Sequence, residues 1–208
     1  MSQRGRFITF EGGEGAGKST QLRLLTTCLL ESGHDVRVTR EPGGSPGAED
    51  IRKLLVEGEP ERWTPLAETL LFLAARADHV ARIIEPALAG GAWVLCDRFA
   101  DSTVVYQGAG RGLGVGSVRS LQRHVGDVRP DLTFILDIDP RDGLMRTHKR
   151  GAAENRFEKF DGGFHARLRE SFLQIAREEP DRCIVVDAGR AQDVVAEEIR
   201  SHVKARFA

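Results

Sequence analysis

Gly12, Gly17, Lys18 and Ser19 stand at the spacing G-x-x-x-x-G-K-[ST] within FITFEGGEGAGKSTQL, residues 7–22. Glycines in such a loop let successive backbone N–H groups converge on phosphate oxygens, and a helix that follows adds the positive end of its dipole. Lys18 would bring a full charge to the β- and γ-phosphates of a nucleoside triphosphate, and the Ser19 hydroxyl is a ligand for Mg²⁺. The cradle then comprises Gly12, Gly13, Glu14, Gly15, Ala16, Gly17, Lys18, Ser19 and Thr20. Its flanks fit: an apolar strand pattern precedes it and STQLRLLTTCLL continues as a helix. Glu14 is the odd member, an acid in the middle of a loop built for anions.

Asp97 closes the apolar run AWVLCD, where an acid could stand near the magnesium. A lone carboxylate at a strand end is more often a helix cap or a surface charge. Arg98 beside it changes the reading, because a planar guanidinium suits a second phosphate by paired hydrogen bonds. Phe72 and Arg76 lie four apart on one helical face, so they either line a pocket or pack against a loop. Arg146, His148, Lys149, Arg150 and Arg156 form a cationic run. Such a run is commonly a solvated face; following the fourth strand it reads better as a lid, about 146–160, that swings cations onto a transferring phosphoryl group.

Five short β-type runs must position these residues: 6–11, 36–40, 92–97, 132–138 and 183–187. Longer helical patterns separate them, which implies parallel pairing through crossovers in an α/β sheet. Glu11, Arg40, Glu41, Asp97, Asp137 and Asp187 end or follow these strands, at the edge where open parallel sheets bind ligands. A long helix is expected over 64–90, with Leu66, Leu70, Leu73, Ala77, Val80, Ile84 and Leu88 as its core stripe. The glycine-rich 107–117 and the basic 146–156 read as mobile loops.

The 208 residues, 40% of them hydrophobic, suit one domain, 1–208, with no repeat or linker. Thirty basic against 31 acidic residues give no bulk electrostatic case for a nucleic acid polymer or an anionic membrane as partner. Cys28, Cys96 and Cys183 lack ligand spacing and read as small buried hydrophobes in a reducing compartment. No signal-peptide or membrane-spanning pattern is present, so a cytoplasmic protein is expected.

FEGGEGAGKSTQ, TREPGG (39–44), LLFLAARADH (70–79), DRFADSTVVYQGAGRG (97–112), RPDLTFILDI (129–138) and NRFE (155–158), in this order, resemble the bacterial thymidylate kinases along the whole chain. The resemblance implies a P-loop NTPase fold, a five-stranded parallel sheet flanked by helices with a lid segment. It implies transfer of a phosphoryl group from Mg²⁺-bound ATP to dTMP, giving dTDP on the way to dTTP, and a homodimer. Phe72 would stack on thymine, Arg76 would hydrogen-bond the base, and Arg98 would grip the dTMP phosphate. Arg40, Glu41 and Pro42 would line the acceptor site. Ser102, Thr103, Tyr106 and Gln107 fall where the family reads the base and crowds the ribose 2′ side, although Tyr106 also reads as a core aromatic. Glu14 would face the acceptor near the 3′-hydroxyl. Some members carry an arginine inside the loop; here the positions are Gly13, Glu14, Gly15 and Ala16, so Arg150 and Arg156 of the lid, with Lys149 behind, would supply the catalytic cations beside Lys18 and Arg98. Asn155 departs from the acid many members have before the lid arginine.

A phosphate monoester acceptor is largely dianionic near neutrality, so alignment and charge neutralisation replace a general base. Two other readings compete. A deoxynucleoside kinase would need a carboxylate base, for which Glu14 or Glu41 would serve. A non-catalytic nucleotide-binding regulator would leave Phe72, Arg76 and Arg98 without a task.

Overall fold

Strand β1 (Phe7–Glu11) is buried along its whole length, as a strand covered on both faces must be. The computed structural model describes residues 4–150 and 156–207, with Lys149 and Arg150 placed by backbone alone. Around β1 stand β2 (Val36–Arg40), β3 (Trp93–Asp97), β4 (Leu132–Asp137) and β5 (Cys183–Asp187), in the order β2-β3-β1-β4-β5. All four pairings are parallel, and the five expected strands are all present. The order reverses at β1, so a crevice opens at its carboxyl end between β3 and β4.

Helices α1 (Lys18–Glu31) and α9 (Gln192–Phe207) cover one face, where Leu25, Val195 and Ile199 pack on Ile8, Phe10 and Phe134. On the other face Ile84 and Leu88 meet Phe7, Val94 and Phe99. Helix α8 (Gly162–Glu178) brings Phe164, Leu168 and Phe172 against Val104, Val105 and Tyr106. The remaining helices are α2 (Pro46–Val56), α3 (Pro65–His79), α4 (Glu85–Ala89), α5 (Ala100–Thr103), α6 (Val115–Gln122) and α7 (Pro140–Arg150).

The helix expected over 64–90 is interrupted: between α3 and α4 lies a π-helical stretch, Val80–Ile84. Its proposed core stripe is only half right. Leu73, Val80, Ile84 and Leu88 are buried, but Leu66 and Leu70 are 48% and 49% exposed, and Ala77 is exposed. Helix α3 instead turns Glu68, Thr69, Arg76 and His79 inward beside Leu73 and Ala75, so its buried face is largely polar and hydrophobic periodicity misread it. A wider π turn also shifts the phase of the helix before α4 begins.

The glycine-rich 107–117 is not a loop throughout. Val104–Gly110 form a second π-helical stretch and α6 starts at Val115. A Cβ on Gly110 would come within 2.7 Å of the Phe164 ring, so this glycine serves close packing against α8. The basic run begins as the last turn of α7; residues 151–155, Asn155 among them, lie outside the described residues.

Polar contacts tie the layers together under the site. The hydroxyls of Thr9 and Thr133 meet at 2.7 Å, and Arg182 donates to Thr133 at 2.7 Å and to both Asp101 oxygens at 2.7 and 3.0 Å. This fastens α5 to the β4 and β5 side of the sheet. Breaking a buried ion pair leaves one charge uncompensated, at a cost of roughly 3 kcal/mol. Arg182→Met is expected to lower the melting temperature by roughly 6–12 °C for a chain of this size; an unchanged melt by differential scanning calorimetry would show that this brace carries no weight.

Candidate active site

The loop between β1 and α1 wraps the helix N-terminus as its glycine spacing requires. Gly12, Gly15 and Gly17 take φ values of 131°, 68° and 88°, a region that favours residues without a Cβ. At Gly15 a Cβ would also lie 1.9 Å from the Gly143 carbonyl oxygen, so α7 rests directly on the loop. Ala16 is buried beneath it. Lys18 Nζ donates to the Gly13 and Gly12 carbonyls at 2.7 and 3.2 Å. Burial and the neighbouring Arg98 pull the Lys18 ammonium down to about 8, against the raising influence of Glu14 and Asp97.

Ser19 Oγ donates to Asp97 Oδ2 at 2.7 Å, joining the first turn of α1 to the end of β3. Two hard oxygen donors at this spacing fit one side of a magnesium ion, which takes its remaining ligands from phosphates and water.

Two cavities, each of about 430 Å³, lie on either side of this loop and share Gly15 and Gly17. One is lined by Ala16, Thr20, Gln21, Arg146, Arg190 and Gln192. The other gathers Glu14, Lys18, Ser19, Arg40, Glu41, Pro42, Phe72, Arg76, Asp97, Arg98, Ser102, Thr103, Tyr106, Gln107 and Arg156. Every acceptor-side residue singled out in the sequence therefore borders one cavity.

Arg98 ties several of these residues together. Its guanidinium donates to the Gly12 carbonyl at 2.9 Å, Ser102 Oγ at 3.2 Å and Glu14 Oε1 at 2.9 Å, and lies 4.9 Å from the Tyr106 ring centroid. Glu14 Oε1 also accepts from the Tyr106 hydroxyl at 2.8 Å. Burial alone would push the Glu14 carboxyl up, but Arg98 and Lys18 reverse this and hold it near about 2. Glu14 is thus turned toward Arg98 and the cavity that Arg98 lines.

Arg98 has a backbone φ of 67°, and among the described residues it is the one non-glycine at positive φ. Glu11, fully buried, holds the segment that follows: its carboxylate accepts from the Phe99 N–H at 2.8 Å, the Ser102 N–H at 3.3 Å and Ser102 Oγ at 2.5 Å. Burial and Asp101 push Glu11 up to about 8. Sequence reading marked Glu11 only as a charged strand end and missed that it orders the Arg98 turn.

At the far end of the cavity a second buried network orients Arg76. Glu41 Oε2 accepts from Arg76 Nε at 2.7 Å, Glu41 Oε1 pairs with His79 Nδ1 at 3.0 Å, and His79 Nε2 pairs with Thr39 Oγ1 at 2.6 Å. Arg76 Nη2 donates to Thr103 Oγ1 at 2.8 Å. Arg76 Nη1 and Gln107 Oε1, both buried, have no hydrogen-bond partner among the described residues. Phe72 borders the cavity half-buried, 6.2 Å from the Phe157 ring centroid. Tyr106 is both a wall of the cavity and a core aromatic, edge-on to Phe157, Phe164 and Phe172. Arg40 is exposed and pairs with Glu49 at 3.1 Å.

Of the expected lid cations, Arg150 has a side chain outside the described residues. Arg156 is fully buried: its guanidinium donates to the carbonyls of Glu59, Leu55 and Pro60 at 3.0, 3.1 and 2.7 Å and pairs with Glu68. Glu68, missed in the sequence, also accepts from Gln107 Nε2 at 3.0 Å. An acid in the first turn of a helix is ordinarily a partner of the helix dipole, so position in the sequence does not single Glu68 out.

A carboxyl held near about 2, against an ordinary 4.5, contributes stability that is complete above pH 4.5 and is lost as pH falls toward 2. Between pH 6 and 3 the contribution lost is on the order of 1–2 kcal/mol. Melting temperatures recorded across this range should fall less steeply for Glu14→Gln than for the unaltered chain; parallel curves would mean that Glu14 is not held by Arg98 and Lys18.

The thymidylate kinase family model matches residues 10–199 of the chain. The thymidylate kinase of Caulobacter vibrioides is 56% identical over 205 residues, 98% of both chains, and that of Dinoroseobacter shibae 53% identical over 203 residues, again 98% of both. The crystal structure of thymidylate kinase from Ehrlichia chaffeensis superposes with a TM-score of 0.78 at 36% identity, covering 97% of this chain and 99% of that one. With a phosphate loop between two cavities and relatives that match nearly end to end, the chain belongs to the thymidylate kinase family.

Proposed function

We propose that this chain is a cytoplasmic, homodimeric enzyme that transfers the γ-phosphoryl group of ATP to the 5′-phosphate of dTMP. The observation that carries the reading is the pair of cavities meeting at Gly15 and Gly17, because donor and acceptor phosphates entering from opposite sides would converge there. ATP would take the side of Thr20, Arg146 and Gln192, its phosphates over Gly12–Thr20. The dTMP phosphate would exchange with Glu14 on Arg98, and the deoxyribose would pass Tyr106, whose ring crowds a 2′-hydroxyl.

The base end fits thymine by polarity. Thymine offers an acceptor at O4 and a donor at N3; the unpartnered Arg76 Nη1 is a donor and the unpartnered Gln107 Oε1 an acceptor. Cytosine presents the reverse pattern and would leave both groups buried and unpaired, a cost of about 1–3 kcal/mol each. Phe72 would stack on the ring.

A bound Mg²⁺, held by Ser19 with Asp97 beside it, would neutralise charge on the transferring phosphates. Lys18 and Arg98 would offset the repulsion between the two anions, and no proton need be removed from a dianionic acceptor. Arg150 would add charge from the lid. Arg156 would have to exchange its carbonyl and Glu68 partners to do so. Leu66 and Leu70, exposed on α3, offer an apolar face for a second copy.

The deoxynucleoside kinase reading needs a carboxylate base near the acceptor hydroxyl. Glu14, pulled down to about 2, is a poor one, and Glu41 is committed to Arg76 and His79. A coupled ADP-release assay with Mg·ATP should give turnover with dTMP, weaker turnover with dUMP and none with thymidine; faster turnover with thymidine would overturn the acceptor assignment. Asparagine tolerates positive φ, so Arg98→Asn removes the charge while sparing the turn. It should lower kcat/KM for dTMP by about 10²–10³-fold, with ATP affinity by calorimetry held within about threefold. Equal loss of both would make Arg98 structural only.

A further inference from the structure

The side-chain amide of Gln107 reads as a donor or an acceptor according to which way round it sits, and the two orientations have the same shape. Its own backbone does not choose between them. The choice is made by Glu68, whose carboxylate has only lone pairs to offer: Gln107 Nε2 donates to Glu68 Oε1 at 3.0 Å, so Oε1 of Gln107 is left as the unpartnered atom. Glu68 is itself fully buried and fixed from two sides. Arg156 pairs with its other oxygen, and Arg111 Nε stands 3.7 Å from Glu68 Oε1. Arg111 and Arg156 are in turn anchored on the segment between α2 and α3, through Trp63 O at 2.8 Å and the Glu59 and Pro60 carbonyls at 3.0 and 2.7 Å.

We propose that Glu68 is a positioning residue for base selection: by accepting from Gln107 while Arg156 holds it, Glu68 fixes the Gln107 amide as an acceptor and so makes the acceptor cavity select thymine over cytosine. The inference rests on the dTMP reading above and extends it. It gives Arg156, which enters from the segment read as the lid, a task at the base rather than at the phosphates. Neither Glu68 nor Arg156 touches the base in this scheme; they act through Gln107.

Glu68→Gln is the decisive variant, because Arg156 would dictate the polarity of the new amide. Arg156 is donor-only, so the oxygen of that amide would turn to it and the amino group would face Gln107. Gln107 would then accept from this amino group and offer its own to the base, the inverse of the present arrangement. In an ADP-release assay of the full chain with Mg·ATP, Glu68→Gln should lower the ratio of kcat/KM for dTMP to that for dCMP at least tenfold. The charge-conserving exchange Glu68→Gln with Gln107→Glu puts a carboxylate, again acceptor-only, against the base, and should return the ratio to within about threefold of the unaltered chain.

A merely structural Glu68 would lower both substrates in parallel, and a ratio unchanged within twofold in Glu68→Gln overturns the proposal. Should Glu68→Gln give no cooperative melt, the double exchange decides alone: a retained preference for dTMP supports the proposal and a lost one overturns it. The unaltered chain, assayed first, separates this from the parent reading. If it shows no preference for dTMP over dCMP, the base assignment itself has failed; if it discriminates and the Glu68→Gln ratio does not move, only the role of Glu68 has.

Discussion

Arg98 reaches Gly12, Glu14 and Ser102 at once because its backbone stands at φ 67°, where an ordinary side chain is disfavoured by roughly 1–2 kcal/mol. The turn is held from outside itself. Glu11 at the end of β1 accepts two N–H groups and a hydroxyl from the segment that follows Arg98, and the Arg98 N–H donates to Phe10 O at 2.9 Å. Two parallel strands thus fix one guanidinium at the point where their carboxyl ends meet. The phosphate loop leaves the same strand one residue later, so the distance between that loop and the Arg98 guanidinium follows from the pairing of β1 with β3 and from the bond of Arg98 to Gly12.

We read the charge pattern around Arg98 as that of a site prepared for a second anion. Glu14 balances the guanidinium, and Tyr106, Glu14 and Asp97 keep it firmly protonated despite its burial. Farther along the cavity the carboxylates change purpose. Glu41 and Glu68 are buried and each is committed to an arginine and a further side chain, so they orient donors and acceptors and are poorly placed for proton transfer. The same residue type therefore serves different ends in and beside one cavity, decided by which partners reach it.

What was legible in the sequence is what is local in the chain. The loop Gly12–Ser19 carries its chemistry in eight consecutive residues, and its strand and helix announce themselves by periodicity. The five strands are short apolar runs between helical patterns and were placed within a residue or so. What escaped depends on partners far apart in sequence. Glu68 meets Gln107 across 39 residues and Arg156 across 88, and Glu11 meets Ser102 across 91. No spacing rule relates such pairs. The stripe on α3 failed for a related reason: hydrophobic periodicity reports the apolar face, and here the face turned inward is the one that carries Glu68, Arg76 and His79. Glycine at 110 was read as freedom when it is close packing, since composition does not say what stands opposite.

The central claim is that two anions meet across Gly15 and Gly17 and a phosphoryl group passes directly between them. Phosphorus-31 NMR of the chain with Mg·ATP and dTMP follows every phosphorus atom at once. The account predicts that the resonances of dTDP and ADP grow together at equal rates, with no inorganic phosphate released. Growth of inorganic phosphate with dTMP unconsumed would contradict it, because it would show that the second cavity does not hold the acceptor.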